Sequence, residues 1–193
     1  MKTIRLLLMA ALITAAFIIA GCDSSVPASQ QGAATTTDKK TTEQSQSAGG
    51  VNANPERTMQ LVVYHATKDA MYLVPETHTV PVNSHPARTA MELLQAGTKS
   101  PDLVGVMPEG TQLKNLTVKD HIAFADFNDK LIKRSGGGSA GEILLVAAIV
   151  NTLTQFPDIQ QVQIMVNGKK IETISGHMDT SEPLSRSEKI IKK

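Results

Sequence analysis

The residue types that could do chemistry fall into a few sets. Cys22 is the only cysteine of the 193-residue chain. It closes the run Ile19-Ala20-Gly21-Cys22, behind an uncharged apolar stretch from Leu6 to Ala20 that Lys2 and Arg5 precede. A basic start, an apolar segment short of the ~20 residues of a spanning helix, and small residues before a cysteine mark a leader that is cut away. Small-small-Cys at that point is the lipobox pattern of bacterial lipoproteins. It predicts acylation at Cys22 and stable mooring by more than one acyl chain. Asp126 and Asp129 supply carboxylates of the kind used in hydrolysis, with His177 as a partner for Asp126. His177 and Asp179, with His78, His85 or His121, are metal-ligand types, but no His pair has the i, i+4 spacing of a helical zinc site. Ser135, Ser139, Ser181 and Ser185 offer hydroxyls, without a Gly-x-Ser-x-Gly elbow. Gly136-Gly137-Gly138-Ser139 ahead of a helix could receive an anion, although the Lys-Ser/Thr of a phosphate loop is missing.

Local structure accounts for most of these groups without chemistry. Asp126 and Asp129 flank Asn128 beside Lys130, where turn formation favours such residues. Ser139 and Glu142 have the spacing of a helix capping box. His177, Asp179 and Ser181 lie in a polar segment that can fold back and satisfy buried backbone groups. No catalytic residue, cofactor or metal is assigned on this reading.

Composition removes further classes. The net charge is +1, and there are two Tyr, four Phe and no Trp. That is poor equipment for nucleic acid, which needs basic patches and stacking rings. Once Cys22 is acylated no thiol remains, so disulfides, Cys-ligated zinc and a Cys nucleophile are excluded.

The elements that must position these groups follow from patterning. Residues 1–21 read as the leader. Residues 22–57 read as the lipidated cysteine followed by a disordered Ser/Thr/Gln/Ala linker that buries too little apolar surface to offset ordering. Residues 58–186 read as the folded domain, and 187–193 as a basic tail with Lys189, Lys192 and Lys193. Met59–His65 and Met71–Val82 predict a hairpin, with Pro75 and Pro81 marking the second strand as an edge. Pro86 to Gln95 predicts a helix stopped by Gly97. Thr111–Lys119 and Ile122–Phe127 predict a second hairpin, bulged where its alternation breaks, with Asp120-His121 at the turn. The unbroken apolar run Ile143–Val150 predicts a helix buried on all sides, ended near Pro157. Asn151, Thr152 and Thr154 interrupt that apolar helix and predict an internal polar stripe. Val162–Val166 and Lys170–Ile174 predict a third hairpin about Asn167-Gly168. The expected fold is α+β: a single domain with a mostly antiparallel sheet in ββαββαββ order and helices packed on one face.

With these elements in place the chain resembles the GerMN domain family, the module named from sporulation and spore germination. The matching pieces run in order. They are Tyr72-Leu73-Val74-Pro75-Glu76-Thr77, Pro86 to Leu94, Met107-Pro108-Glu109-Gly110-Thr111, Ala125-Asp126-Phe127, Gly138 to Glu142, Ala148 to Thr154, and Gly176 to Leu184. The Ile-Val-Asn-Thr-Leu-Thr run and the Gly-His-x-Asp-x-Ser-x-Pro segment weigh most. The resemblance implies a non-catalytic, lipid-anchored protein on the extracytoplasmic face of the cell membrane. It further implies assembly of envelope machinery in sporulation or germination, contact with a protein partner or peptidoglycan, and self-association. The alternative is a cell-wall or small-molecule hydrolase using Asp126 and His177.

Overall fold

The first strand, β1 (Thr58–Thr67), pairs antiparallel with β2 (Leu73–Pro81) from Thr58 opposite Pro81 to Ala66 opposite Leu73. This is a computed structural model, and it describes residues 57–133 and 136–193. The leader, Cys22, nearly all of the linker and Ser135 lie outside the described residues. A short β3 (Leu103–Val104) covers the other side of β1 at Ala66 and Thr67. Helix α1 (Pro86–Ala96) starts on its proline and stops at Gly97, whose φ of 78° favours glycine.

The second sheet holds β4 (Leu113–Lys119), β5 (Ile122–Phe127), β6 (Gln161–Val166) and β7 (Lys169–Lys170) in that order, with β8 (Leu184–Ser185) also on β6. The expected bulge is present, as a register shift between Leu113 and Asn115. Asp120-His121 and Asn167-Gly168 all have positive φ, the geometry of two-residue hairpin turns. Strands β5 and β6 run parallel, which the connection between them allows by carrying a one-turn α2 (Lys130–Lys133) and then α3 (Gly138–Leu153).

The α+β class is observed, with mostly antiparallel pairing. The arrangement differs from expectation in being two sheets rather than one, in its parallel β5–β6 pair, and in the added short elements β3, α2 and β8. The third hairpin is also shorter than the sequence suggests. Its return strand ends at Lys170 because the amides of Ile174 and Ser175 turn to a carboxylate instead of a ladder partner.

Helix α3 organises the core. Every residue from Leu144 to Leu153 is buried, including Asn151 and Thr152. It packs on α1, and both helices pack on β1. Its start needs glycine twice. Gly137 has φ of 90°, and a Cβ on Gly141 would come within 2.6 Å of the Gly136 carbonyl oxygen.

Two side-chain amides at the C-terminal end of α3, four residues apart, read backbone as a strand would. Gln155 accepts from the Val62 N–H (2.9 Å) and donates to the Val62 carbonyl (2.7 Å), closing the stretch of β1 that β3 does not reach. Asn151 donates to the Ser187 carbonyl and accepts from its N–H, both at 2.9 Å. The C-terminal segment thus continues the folded body, against the expectation of a separate tail from 187. Arg186 stacks over the Tyr64 ring at 5.3 Å, donates to the Tyr64 hydroxyl (2.6 Å) and to the Asn151 carbonyl (2.9 Å), and pairs with Glu188. Beyond it, the Leu73 N–H donates to the Ile190 carbonyl and the Lys192 N–H to the Leu73 carbonyl, each at 2.8 Å.

Leu73 therefore points its backbone polar groups away from β1. By the two-residue period of a strand, Pro75 and Pro81 do the same, so neither costs a ladder bond and both blunt the edge, as the sequence suggests.

His65, Glu76 and His78 share one face of the β1–β2 pair, since Val63 opposes Glu76 and Leu61 opposes His78. His65 is fully buried, and neither ring nitrogen has a hydrogen-bond partner. Burial holds its pKa below 6.5, Glu76 pulls the other way, and His78 adds to the fall. The unfolded chain binds the extra proton, so this contribution to stability is complete above pH 6.5 and is lost as pH falls below it. Urea unfolding of His65→Leu across pH 7 to 5 should show a flatter profile than the parent; parallel profiles would refute the assignment.

Candidate functional site

Glu142 sits one turn into α3, immediately ahead of the apolar run, and its side chain is wholly buried. One carboxylate oxygen accepts from the Thr173 hydroxyl (2.7 Å) and from the N–H groups of Ile174 and Ser175 (both 3.0 Å). The other accepts from the His177 N–H (2.9 Å) and from His177 Nδ1 (3.0 Å). Burial alone would push the pKa up. The bonds from Ser175, Thr173 and His177 outweigh it and hold the carboxyl at about 2. Glu142 is the anion around which the 173–177 segment folds. The expected capping box is therefore not formed. Ser139 is exposed, α3 has no side-chain cap, and Glu142 is spent inward on a distant segment.

An ionised carboxylate can only accept, so His177 carries its proton on Nδ1 toward Glu142. The imidazole is 42% exposed, at an open depression of about 450 Å³ shared with Glu172, Asp179 and Ser181. The structure thus brings together His177, Asp179 and Ser181 from the candidate set and adds Glu142 to them. The segment is held from beneath. Buried Gln163 of β6 donates to the Thr180 carbonyl (2.9 Å), and the Thr180 hydroxyl donates to the Ile171 carbonyl (3.0 Å).

The arrangement can orient an imidazole, but its hydroxyl is committed. Ser181 donates both its N–H (2.9 Å) and its hydroxyl (2.6 Å) to Asp179 Oδ1, and these two bonds hold the Asp179 carboxyl below its ordinary range. This is a turn motif closed on itself. The structure does not assemble the proposed Asp126–His177 pair. Asp126 Oδ1 accepts from the Gly168 N–H at 2.8 Å and pins the β6–β7 turn, while His177 Nδ1 belongs to Glu142. Asp129 is paired with Lys133 at 2.5 Å. His85 contacts the Ser84 hydroxyl (2.8 Å), His121 the Asp158 carbonyl (3.3 Å), and His78 Glu76 (3.1 Å). Among the described residues no group of three or more His, Cys, Asp or Glu side chains is gathered as a metal ion would need.

Sequence reasoning missed Arg186, Gln155, Gln163 and the inward role of Glu142. The last had a signal. A carboxylate abutting a helix that is apolar all round must itself be buried and must find donors.

An antiparallel three-stranded sheet and a mixed five-stranded sheet about a buried central helix, with a C-terminal segment laced back by a carboxylate and side-chain amides, define a small α+β module. The chain belongs to the Germane family, described as sporulation and spore germination, whose model matches residues 62–172. It is similar to the spore germination protein GerM of Bacillus subtilis strain 168, at 28% identity over 125 residues, 62% of this chain. The match spans only 33% of the length of that relative. The solved first GerMN domain of the same protein superimposes with a TM-score of 0.57 at 29% identity, covering 66% of this chain and 98% of that one. The tandem GerMN domains superimpose with a TM-score of 0.58 at 26% identity, covering 75% and 51%. The chain is thus related to the sporulation and germination GerM proteins through a GerMN-like domain.

Proposed function

We propose that this protein is a non-catalytic, lipid-anchored component of the cell envelope, whose GerMN-like domain makes assembly contacts with a protein partner or peptidoglycan in sporulation or germination. One observation carries the reading: the carboxylates and the serine nearest to chemistry are consumed by internal bonds. Glu142 takes five donors, Asp179 takes Ser181, and Asp126 holds a turn. The family membership supports the setting, and the lipobox at Cys22 supports the anchor. Among the described residues no helix is long and apolar enough to cross a membrane.

Purified protein incubated with peptidoglycan and with model esters should release no product above buffer, and His177→Ala should behave identically. Turnover abolished by His177→Ala would replace the reading with the hydrolase. Labelled fatty acid fed to the cells should enter the protein and be absent from Cys22→Ala.

A further inference from the structure

The C-terminal segment carries the chain's lysines to a place that patterning alone does not give. Its parallel pairing to Leu73 sets Lys189, Lys192 and Lys193 beside the tip of the β1–β2 hairpin. There Tyr72 lines one side of a cavity of about 560 Å³, and Ile191 and the three lysines line much of the rest. Met71, next to Tyr72, is 60% exposed, the most exposed large apolar side chain among the described residues, and Tyr72 itself is 42% exposed. Lys68 belongs to the same tip. Of its acidic neighbours, Glu188 pairs with Arg186, and Asp69, which takes the Thr67 hydroxyl and the Met71 N–H, stays a single negative charge beside the lysines. An exposed thioether and an amphipathic ring, among lysines that outnumber the neighbouring carboxylates, suit a surface that is apolar just below a negatively charged plane.

From this juxtaposition we propose that the hairpin tip and the laced C-terminal segment form a docking face for an anionic lipid bilayer. Met71 and Tyr72 enter the headgroup–acyl boundary, and Lys68, Lys189, Lys192 and Lys193 meet the phosphates. The proposal rests on the envelope reading above. With an acyl anchor at Cys22, the tether between anchor and domain holds this face near the bilayer at an effective concentration on the order of millimolar, so weak intrinsic affinity suffices. An acyl anchor fixes distance only. A second, protein-borne contact would fix orientation, turning the far side of the domain toward its partners.

The chain has no tryptophan, so Tyr72→Trp gives the full protein a single reporter. The acylated full-length protein, extracted from its own membranes, is reconstituted into phosphatidylcholine vesicles with and without about one-third phosphatidylglycerol, some lipids carrying brominated acyl chains. Emission of the introduced indole should shift to the blue and be quenched in the anionic vesicles, and recover at high salt. Charge reversal at Lys192→Glu and Lys193→Glu should weaken docking at least about 25-fold, since each basic group near the surface is worth roughly fivefold. A control reporter, Val118→Trp on exposed β4, should stay unquenched in every vesicle. Equal quenching at both positions, indifference to lipid charge, or binding to purified cell wall without a vesicle response overturns the proposal. Mass analysis of the same preparation separates the two ideas. Protein lacking fatty acid at Cys22 sinks the anchor reading, while vesicle binding by that unacylated protein still decides the docking face.

Discussion

Glu142→Ala should destabilise the domain by about 4 kcal/mol or more, the largest effect expected of any single polar substitution here. The reason is asymmetry. The deletion removes one side chain but strands five donors, among them the N–H of buried Ile174. Each buried donor left unmet costs about 1–3 kcal/mol, while the bonds themselves return less. Some donors will reach water as the segment loosens, which keeps the total below the simple sum. Glu142→Gln keeps the shape but removes the charge and turns an amide N–H₂ toward N–H groups, so about 2–3 kcal/mol is expected. The pH dependence is the sharper test. The carboxyl falls from 4.5 in the unfolded chain to about 2 in the folded one. At about 1.4 kcal/mol per pKa unit, its ionisation contributes about 3 kcal/mol. A depressed carboxylate stabilises above the unfolded pKa, so the contribution is complete above pH 4.5 and drains away as pH falls toward 2. Denaturant midpoints at pH 7, 4 and 3 should therefore converge for the parent and Glu142→Gln as acid is added. A gap that stays constant would show that the charge is not what the 173–177 segment holds.

The parts of this molecule that were legible in its sequence are those set by local chemistry. Pro86 and Gly97 bracket α1, Asn167-Gly168 and Asp120-His121 make their turns, and the break in alternation near Leu113 marks the bulge. The apolar run from Ile143 locates the central helix for the same reason, because a helix with no polar face can only be interior. What was not legible depends on partners far apart in the chain. Glu142 and Ser139 have capping-box spacing, and spacing cannot report that five donors more than thirty residues away compete for the carboxylate and win. The parallel β5–β6 pair is set by a crossover whose length permits either direction. The C-terminal segment looks like a solvated tail, since Lys189, Lys192 and Lys193 dominate its composition. Its order comes from Asn151, whose place in the apolar helix signals an internal polar role but not its partner, and from Leu73, which carries no mark of the contact. The candidate site was legible as residue types at 177, 179 and 181, and illegible as geometry.

Asn151 offers the cleanest measure of that long-range order. The side chain is fully buried and exchanges two hydrogen bonds of 2.9 Å with the backbone of Ser187. If it only fills space, Asn151→Leu, of similar volume, should be close to neutral. If the amide is the fastening, Asn151→Leu and Asn151→Ala should both cost about 2–3 kcal/mol, because the Ser187 N–H and C=O lose their partners and the segment must leave to find water. The loss should be distributed unevenly. Hydrogen exchange at the amides of Ser187, Leu73 and Lys192 should quicken by one to two orders of magnitude, since all three lie in bonds made by the laced segment. Amides of β5 and β6 should slow or quicken only with global stability, as Val162 and Ile164 pair within their own sheet. Arg186 provides the internal control. It bridges Tyr64 and the Asn151 carbonyl independently of the Asn151 side chain, so Arg186→Ala should loosen the same three amides, and the double variant should cost less than the two single losses added together. Full additivity would mean that Asn151 and Arg186 hold different things, and that the C-terminal segment is not one cooperative strap.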